Sequence, residues 1–118
     1  TNIILGSKFD TSKVTKFDGM FQDMPNMVNL DISVIKVKNG ASIEYMFGKC
    51  PKLQKIYVSE DSGFENVRTA VKVFENCTSL VGGVSPNETQ FTSDEISNTY
   101  ARISKENQPG YFTSINDK

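Results

Sequence analysis

Three stretches decide how this chain is read: Phe17-Asp18-Gly19-Met20-Phe21-Gln22-Asp23-Met24, Ile43-Glu44-Tyr45-Met46-Phe47-Gly48-Lys49-Cys50 and Ala70-Val71-Lys72-Val73-Phe74-Glu75-Asn76-Cys77. Each carries apolar residues at i, i+3, i+4 and i+7, the spacing of one stripe along about two turns of an amphipathic helix. The second stretch starts 26 residues after the first and the third 27 after the second. A fixed period of this size marks a stacked repeat, in which one unit cannot bury its own apolar faces and neighbouring units share a core.

The rest of the unit keeps the same register. Pro25 and Pro51 follow the first two stripes, with Thr78 in the third, and Met27, Leu53 and Leu80 match two positions later. Proline just past a helix is a stop signal. Ser42 and Thr69 match ahead of the second and third stripes and would cap those helices. An apolar–variable–apolar alternation then reads as a short half-buried strand: Leu30-Asp31-Ile32, Ile56-Tyr57-Val58 and, more weakly, Ile4-Leu5-Gly6. The units are therefore 4–29, 30–55 and 56–82, within a repeat region 1–83. The extra residue of the third is placed in the acidic turn Glu60-Asp61-Ser62-Gly63. The predicted fold is α/β: a short right-handed solenoid of three strand-loop-helix coils with a parallel sheet on one side and helices on the other.

Residues 84–118 read as a C-terminal capping segment of the same domain. It is polar and turn-rich over 84–99, and Tyr100, Ile103, Tyr111 and Phe112 are its expected plugs against the last coil. The first coil presents Ile4, Phe9 and Phe17 without a cap, which predicts further repeats upstream in a larger parent chain or pairing of that edge with another chain.

Composition excludes much chemistry. The 118 residues include no histidine and two cysteines, so Ser-His-Asp and Cys-His catalysis, His-ligated metals and Cys₄ zinc sites are all ruled out. The net charge of −1 offers no field for nucleic acid, and no apolar run approaches the ~18 residues of a membrane span. Asp94-Glu95, Glu60-Asp61 and Asp10/Asp18 lack EF-hand spacing and read as solvated loops. No cofactor, no metal site and no enzymatic activity are expected. Cys50 and Cys77 hold the same place in adjacent coils, about 5 Å apart and within bridging range. Met24 fills that place in the first coil, which argues for packing, and both thiols are expected to be free.

Phe9-Asp10-Thr11-Ser12-Lys13-Val14-Thr15 followed by Gly19-Met20-Phe21 resembles the 26-residue repeat of the BspA-like leucine-rich-repeat surface proteins of bacteria. Leu30-Asp31-Ile32-Ser33 and Met46-Phe47-Gly48-Lys49-Cys50-Pro51-Lys52-Leu53 fit the same repeat, and Pro109-Gly110-Tyr111-Phe112-Thr113 is similar to its closing segment. Ile35–Gly40 and Phe64–Val67 depart from it. The resemblance implies a non-catalytic, adhesin-like interaction module of a larger surface or secreted protein, extracellular, with its signal or anchor outside this sequence. The partner would be a host or cell-surface protein or a glycan. A ligand-free structural spacer is the second reading and a secreted enzyme the third.

A recognition surface on such a sheet would be the row of outward strand residues. That row is expected to be Leu5, Asp31 and Tyr57, flanked by Asn29, Ser33, Lys55 and Ser59. Being solvated, it should tolerate Asp31→Lys or Tyr57→Ala with little change in melting temperature.

Overall fold

The structure is a computed structural model that describes residues 2–6, 8, 10–68, 70, 72–81, 101–106 and 110–118. Four short strands, β1 (Asn2–Ile4), β2 (Asn29–Asp31), β3 (Lys55–Val58) and β4 (Phe112–Ser114), form one sheet in the order β1-β2-β3-β4. All neighbours are parallel. The alternation that predicted these strands sets their two faces. Leu30, Ile56, Val58 and Phe112 turn into the core, while Asp31, Tyr57 and Thr113 occupy the opposite face in one row.

The predicted helices do not form. The three stripes are strings of β-turns. Gly19 and Asp23, Tyr45 and Lys49, and Lys72 and Asn76 all have positive φ, at equivalent places in successive coils. A right-handed helix admits none of these angles. Bonds from residue i+3 back to residue i close the turns, as in Met20 N to Phe17 O (3.1 Å), Met46 N to Ile43 O (3.1 Å) and Glu75 N to Lys72 O (3.1 Å). The intervening N–H groups point to the next coil: Phe17 to Ser42, Gly19 to Glu44, Phe21 to Met46 and Asp23 to Gly48, at 2.7–2.9 Å.

Lateral spacing explains the outcome. Packed helices need about 8–10 Å between axes, whereas parallel strands stack at about 4.8 Å. Phe21, Phe47 and Phe74, one per coil, stack with centroids 6.0 and 5.7 Å apart and planes within 5° and 9° of parallel. The coils are thus nearly as close on the turn side as on the sheet side, and no helix fits in that pitch. The stripes still identify what is buried. Ile43, Met46, Phe47 and Cys50 are wholly inside, as are Val73, Phe74 and Cys77, while Met20 and Met24 of the outermost coil are half-buried. Pro25 and Pro51 occupy the second positions of the turns Met24–Met27 and Cys50–Leu53, where a fixed φ near −65° is favourable. They end no helix, and the Ser42 hydroxyl bonds to Asp18 of the preceding coil rather than capping one.

Two details of phasing also change. Ile3, not Ile4, pairs with Leu30, so the first strand is 27 residues before the second, and Lys16 then pairs with Ser42 at 26. The first coil therefore holds an extra residue between Leu5 and Lys16. In the third coil, Val37 N reaches Ser62 O at the 26-residue offset and Gly40 N reaches Asn66 O at 27. The extra residue lies in the 3₁₀ turn Phe64–Asn66, not in the acidic turn before it.

β4 extends β3, and Tyr111 and Phe112 are buried against Phe74, Phe47 and Phe64. Ile103 pairs with Phe112 and packs half-buried on the core. Phe9, Thr69, Tyr100 and the polar stretch 84–99 with Asp94 and Glu95 lie outside the described residues.

Both cysteines are free and buried. The Cys50 Sγ donates to Phe21 O at 3.1 Å and the Cys77 Sγ to Phe47 O at 2.8 Å, each to the coil before it. The hydrogen-bonded Cys50 side chain beside it, together with burial, pushes the Cys77 thiol far above its ordinary range. A protonated, enclosed thiol is a poor nucleophile. Maleimide should therefore label neither cysteine at an appreciable rate in the native protein and both after denaturation, as read by intact mass.

Candidate functional site

The outer sheet face carries two rows. Ile4, Asp31, Tyr57 and Thr113 align across the four strands, and Asn2, Asn29 and Lys55 align beside them. The shift in register puts Ile4, 65% exposed, where Leu5 was expected; Leu5 instead packs against the core.

Asp31 and Tyr57 are not solvated, contrary to expectation. They retain only 7% and 9% of their accessible surface. After β4 the chain makes a 3₁₀ turn, Ile115–Asp117, whose first N–H groups are capped by the Ser114 hydroxyl accepting from Asn116 N at 3.2 Å. The turn brings Lys118 onto the face. Its Nζ donates to Asp31 Oδ2 at 2.8 Å and stands 5.5 Å from the centre of the Tyr57 ring. The other carboxylate oxygen, Oδ1, accepts from Ser33 N at 3.0 Å and Ser33 Oγ at 2.7 Å. Asp31 is thus held from both sides, and Asp31→Lys would place a second cation against Lys118 and strip Ser33 of its acceptor. That substitution is now expected to destabilise.

Beside this pair lies a shallow cavity of about 100 Å³ lined by Asn2, Ile3, Ile4, Asn29, Asp31, Tyr57 and Lys118. Asn29 Nδ2 donates to Asn2 Oδ1 at 3.1 Å along its rim. Of the six residues expected on this surface, Asn29, Asp31 and Tyr57 come together around the cavity. Ser33 supports Asp31, Lys55 stands next to Asn29 in the second row, and Ser59 turns to Asp61 at the margin. Asn2, Ile4 and Lys118 were missed. An asparagine recurring 27 residues on was visible for Asn2, whereas nothing local marks Lys118, 87 residues from Asp31. A larger cleft of about 360 Å³ borders Glu60, Glu65, Arg102 and Lys105, of mixed charge. Among the described residues no group of three His, Cys, Asp or Glu could hold a metal.

Burial opposes charge on Asp31, but Lys118 and Ser33 outweigh it and hold the carboxyl below its ordinary value of 3.8. A folded-state value below the unfolded one stabilises the protein above the unfolded value, and that stability is lost as pH falls through the folded value. Asp31→Asn should therefore lose about 1–2 kcal/mol at neutral pH, and the gap to wild type should close below about pH 4. Urea melts at stepped pH measure this. Asp61, held at about 2 by Lys36 and Ser59, sits exposed on the margin with its partners in water and should matter little.

These features define a class: a small repeat protein whose stacked coils contribute one parallel strand each, with a pre-ordered polar row on the open sheet face. The sequence pattern of the family described as "Mycoplasma protein of unknown function, DUF285" matches residues 2–109, and the chain belongs to that family. No curated protein and no solved structure matches it.

Proposed function

We propose that this chain is a non-catalytic interaction module, solenoid-like and related to the BspA-like surface proteins, that serves a larger bacterial surface or secreted protein by presenting its outer sheet face to a protein or glycan. The observation that carries this reading is the row Ile4–Asp31–Tyr57–Thr113. It joins an exposed apolar side chain, a pre-oriented carboxylate and an aromatic ring on rigid central strands. Tyrosine in such a setting offers contact area at low entropic cost. The likeness of Phe9–Thr15 and Gly19–Phe21 to the surface-protein repeat supports the extracellular setting.

The spacer reading also has an observation in its favour. Among the described residues no buried side-chain nitrogen or oxygen lacks a partner, so the face does not require a ligand for its own stability.

A glycan array and a panel of purified extracellular-matrix proteins separate the two. Hits are then titrated with Lys55→Glu and Thr113→Arg, which change the row where side chains are only half-buried. A loss of about tenfold or more in affinity with an unchanged melting temperature is the expected result. A hit indifferent to both substitutions places recognition elsewhere, and an empty panel favours the spacer.

A further inference from the structure

We propose that Asp31 and Tyr57 form a receptor for a primary ammonium group, filled in cis by Lys118, and that a lysine side chain of the partner is the group that exchanges with it. This rests on the reading of the outer sheet face as the interaction surface and names its ligand chemistry.

The two halves of the Asp31–Lys118 pair are unequally held. Asp31 lies on β2, between paired strands whose inward residues Leu30, Ile56 and Val58 are wholly buried. Ser33 locks its Oδ1 twice, so Oδ2 has one orientation, toward the cavity. Tyr57 on β3 supplies the second wall. Lys118, by contrast, has a side chain 41% exposed and arrives on a single 3₁₀ turn. The turn is tied to the body by Asn116 Nδ2 to Glu60 Oε2 at 3.4 Å, on the exposed surface. The anion is fixed and desolvated while its cation is half in water. Half-exposed ion pairs contribute little net stability, so an outside cation meets little resistance in displacing Lys118, yet a bare Asp31 would be costly.

The geometry selects the cation. Only Oδ2 is open, since Oδ1 is committed to Ser33, so a guanidinium cannot make its paired bonds. A hard metal ion needs several oxygen ligands, and one is offered. A primary ammonium needs one acceptor, and the tyrosine face adds a cation–π contact of the kind Lys118 already makes at 5.5 Å. The adjoining cavity, with Ile3 and Ile4 in its wall, suits the methylene stem of a lysine.

The test uses the full chain with n-butylammonium chloride as the probe and sodium chloride at equal ionic strength as the reference. Amide shifts of Asp31, Ser33 and Tyr57 are followed by ¹⁵N NMR in wild type, Lys118→Ala and Lys118→Ala/Asp31→Asn. Lys118→Met, which keeps the stem and removes the charge, serves as a second variant if the alanine chain loses its dispersed spectrum. Removing Lys118 should give saturable shifts, with affinity about tenfold or more above wild type, because a tethered competitor acts at an effective concentration in the millimolar range. Asp31→Asn should abolish them. The inference is overturned if the folded Lys118 variant shows no saturation, if Asp31→Asn leaves the shifts intact, or if sodium reproduces them. Those outcomes leave the interaction-face reading to its own test with Lys55→Glu. Conversely, butylammonium may bind as expected while every partner found ignores the row, and then the reading fails and the ammonium site stands.

Discussion

Phe47→Ala should cost roughly 3–5 kcal/mol, the largest loss available from one truncation in this chain and a substantial part of a small domain's stability. Phe47 is wholly buried in the middle coil. Phe21 and Phe74 stack on its two faces at 6.0 and 5.7 Å, and Phe112 meets it edge-on at 5.9 Å. The cavity cannot collapse, because the backbones on either side are tied coil to coil by Phe21 N to Met46 O at 2.8 Å and Phe47 N to Val73 O at 3.0 Å. Phe21→Ala should cost less, since Phe21 belongs to the outermost coil and stacks on Phe47 from one side. Urea denaturation of the two variants measures the difference. Equal losses, or a Phe47→Ala midpoint close to wild type, would remove the aromatic column from the centre of the stability account.

Gly63→Ala is the second large effect, on the order of 3 kcal/mol or more. Gly63 has φ +83°, and a Cβ there would stand 2.4 Å from Val37 O. That carbonyl belongs to backbone that cannot retreat: Val37 N is bonded to Ser62 O at 2.7 Å. Gly40 supplies the matched comparison. Its φ is +84°, and an added Cβ would meet nothing within 4 Å. Gly40→Ala should therefore show only the left-handed backbone cost of about 1–2 kcal/mol, and the difference between the variants isolates the clash. Thermal melts of both suffice. A Gly63→Ala protein as stable as Gly40→Ala would mean that the third coil shifts to accept the methyl.

Much of the buried set was legible before any coordinates. The three stripes named Ile43, Met46, Phe47, Cys50, Val73, Phe74 and Cys77, and all are inside. The alternation Leu30-Asp31-Ile32 and Ile56-Tyr57-Val58 named the inward residues and the Asp31–Tyr57 row, and β2 and β3 pair in that register. These features are local: they follow from which side chains face apolar surroundings, and a repeating chain states that preference once per coil.

The conformation of the stripes was not legible in the same way. Positions i, i+3, i+4 and i+7 share a face in a helix, and they share one equally in tandem turns with positive φ every fourth residue. The choice depends on how far apart neighbouring coils lie, which no single coil specifies. Tyr45, Lys49 and Lys72 are not residues that advertise positive φ, so their turns went unmarked, unlike those at Gly19 and Gly40. The period of the repeat, the parallel pairing of its strands and the identity of its core thus belong to the chain as written. The turn ladder in place of helices, the pairing of Ile3 with Leu30 and the closure of Lys118 over Asp31 belong to the assembled molecule. Each of them is a choice of partner between residues 26 to 87 positions apart, and such choices are made by packing distance and by desolvation of the groups brought together, neither of which exists until the coils have stacked.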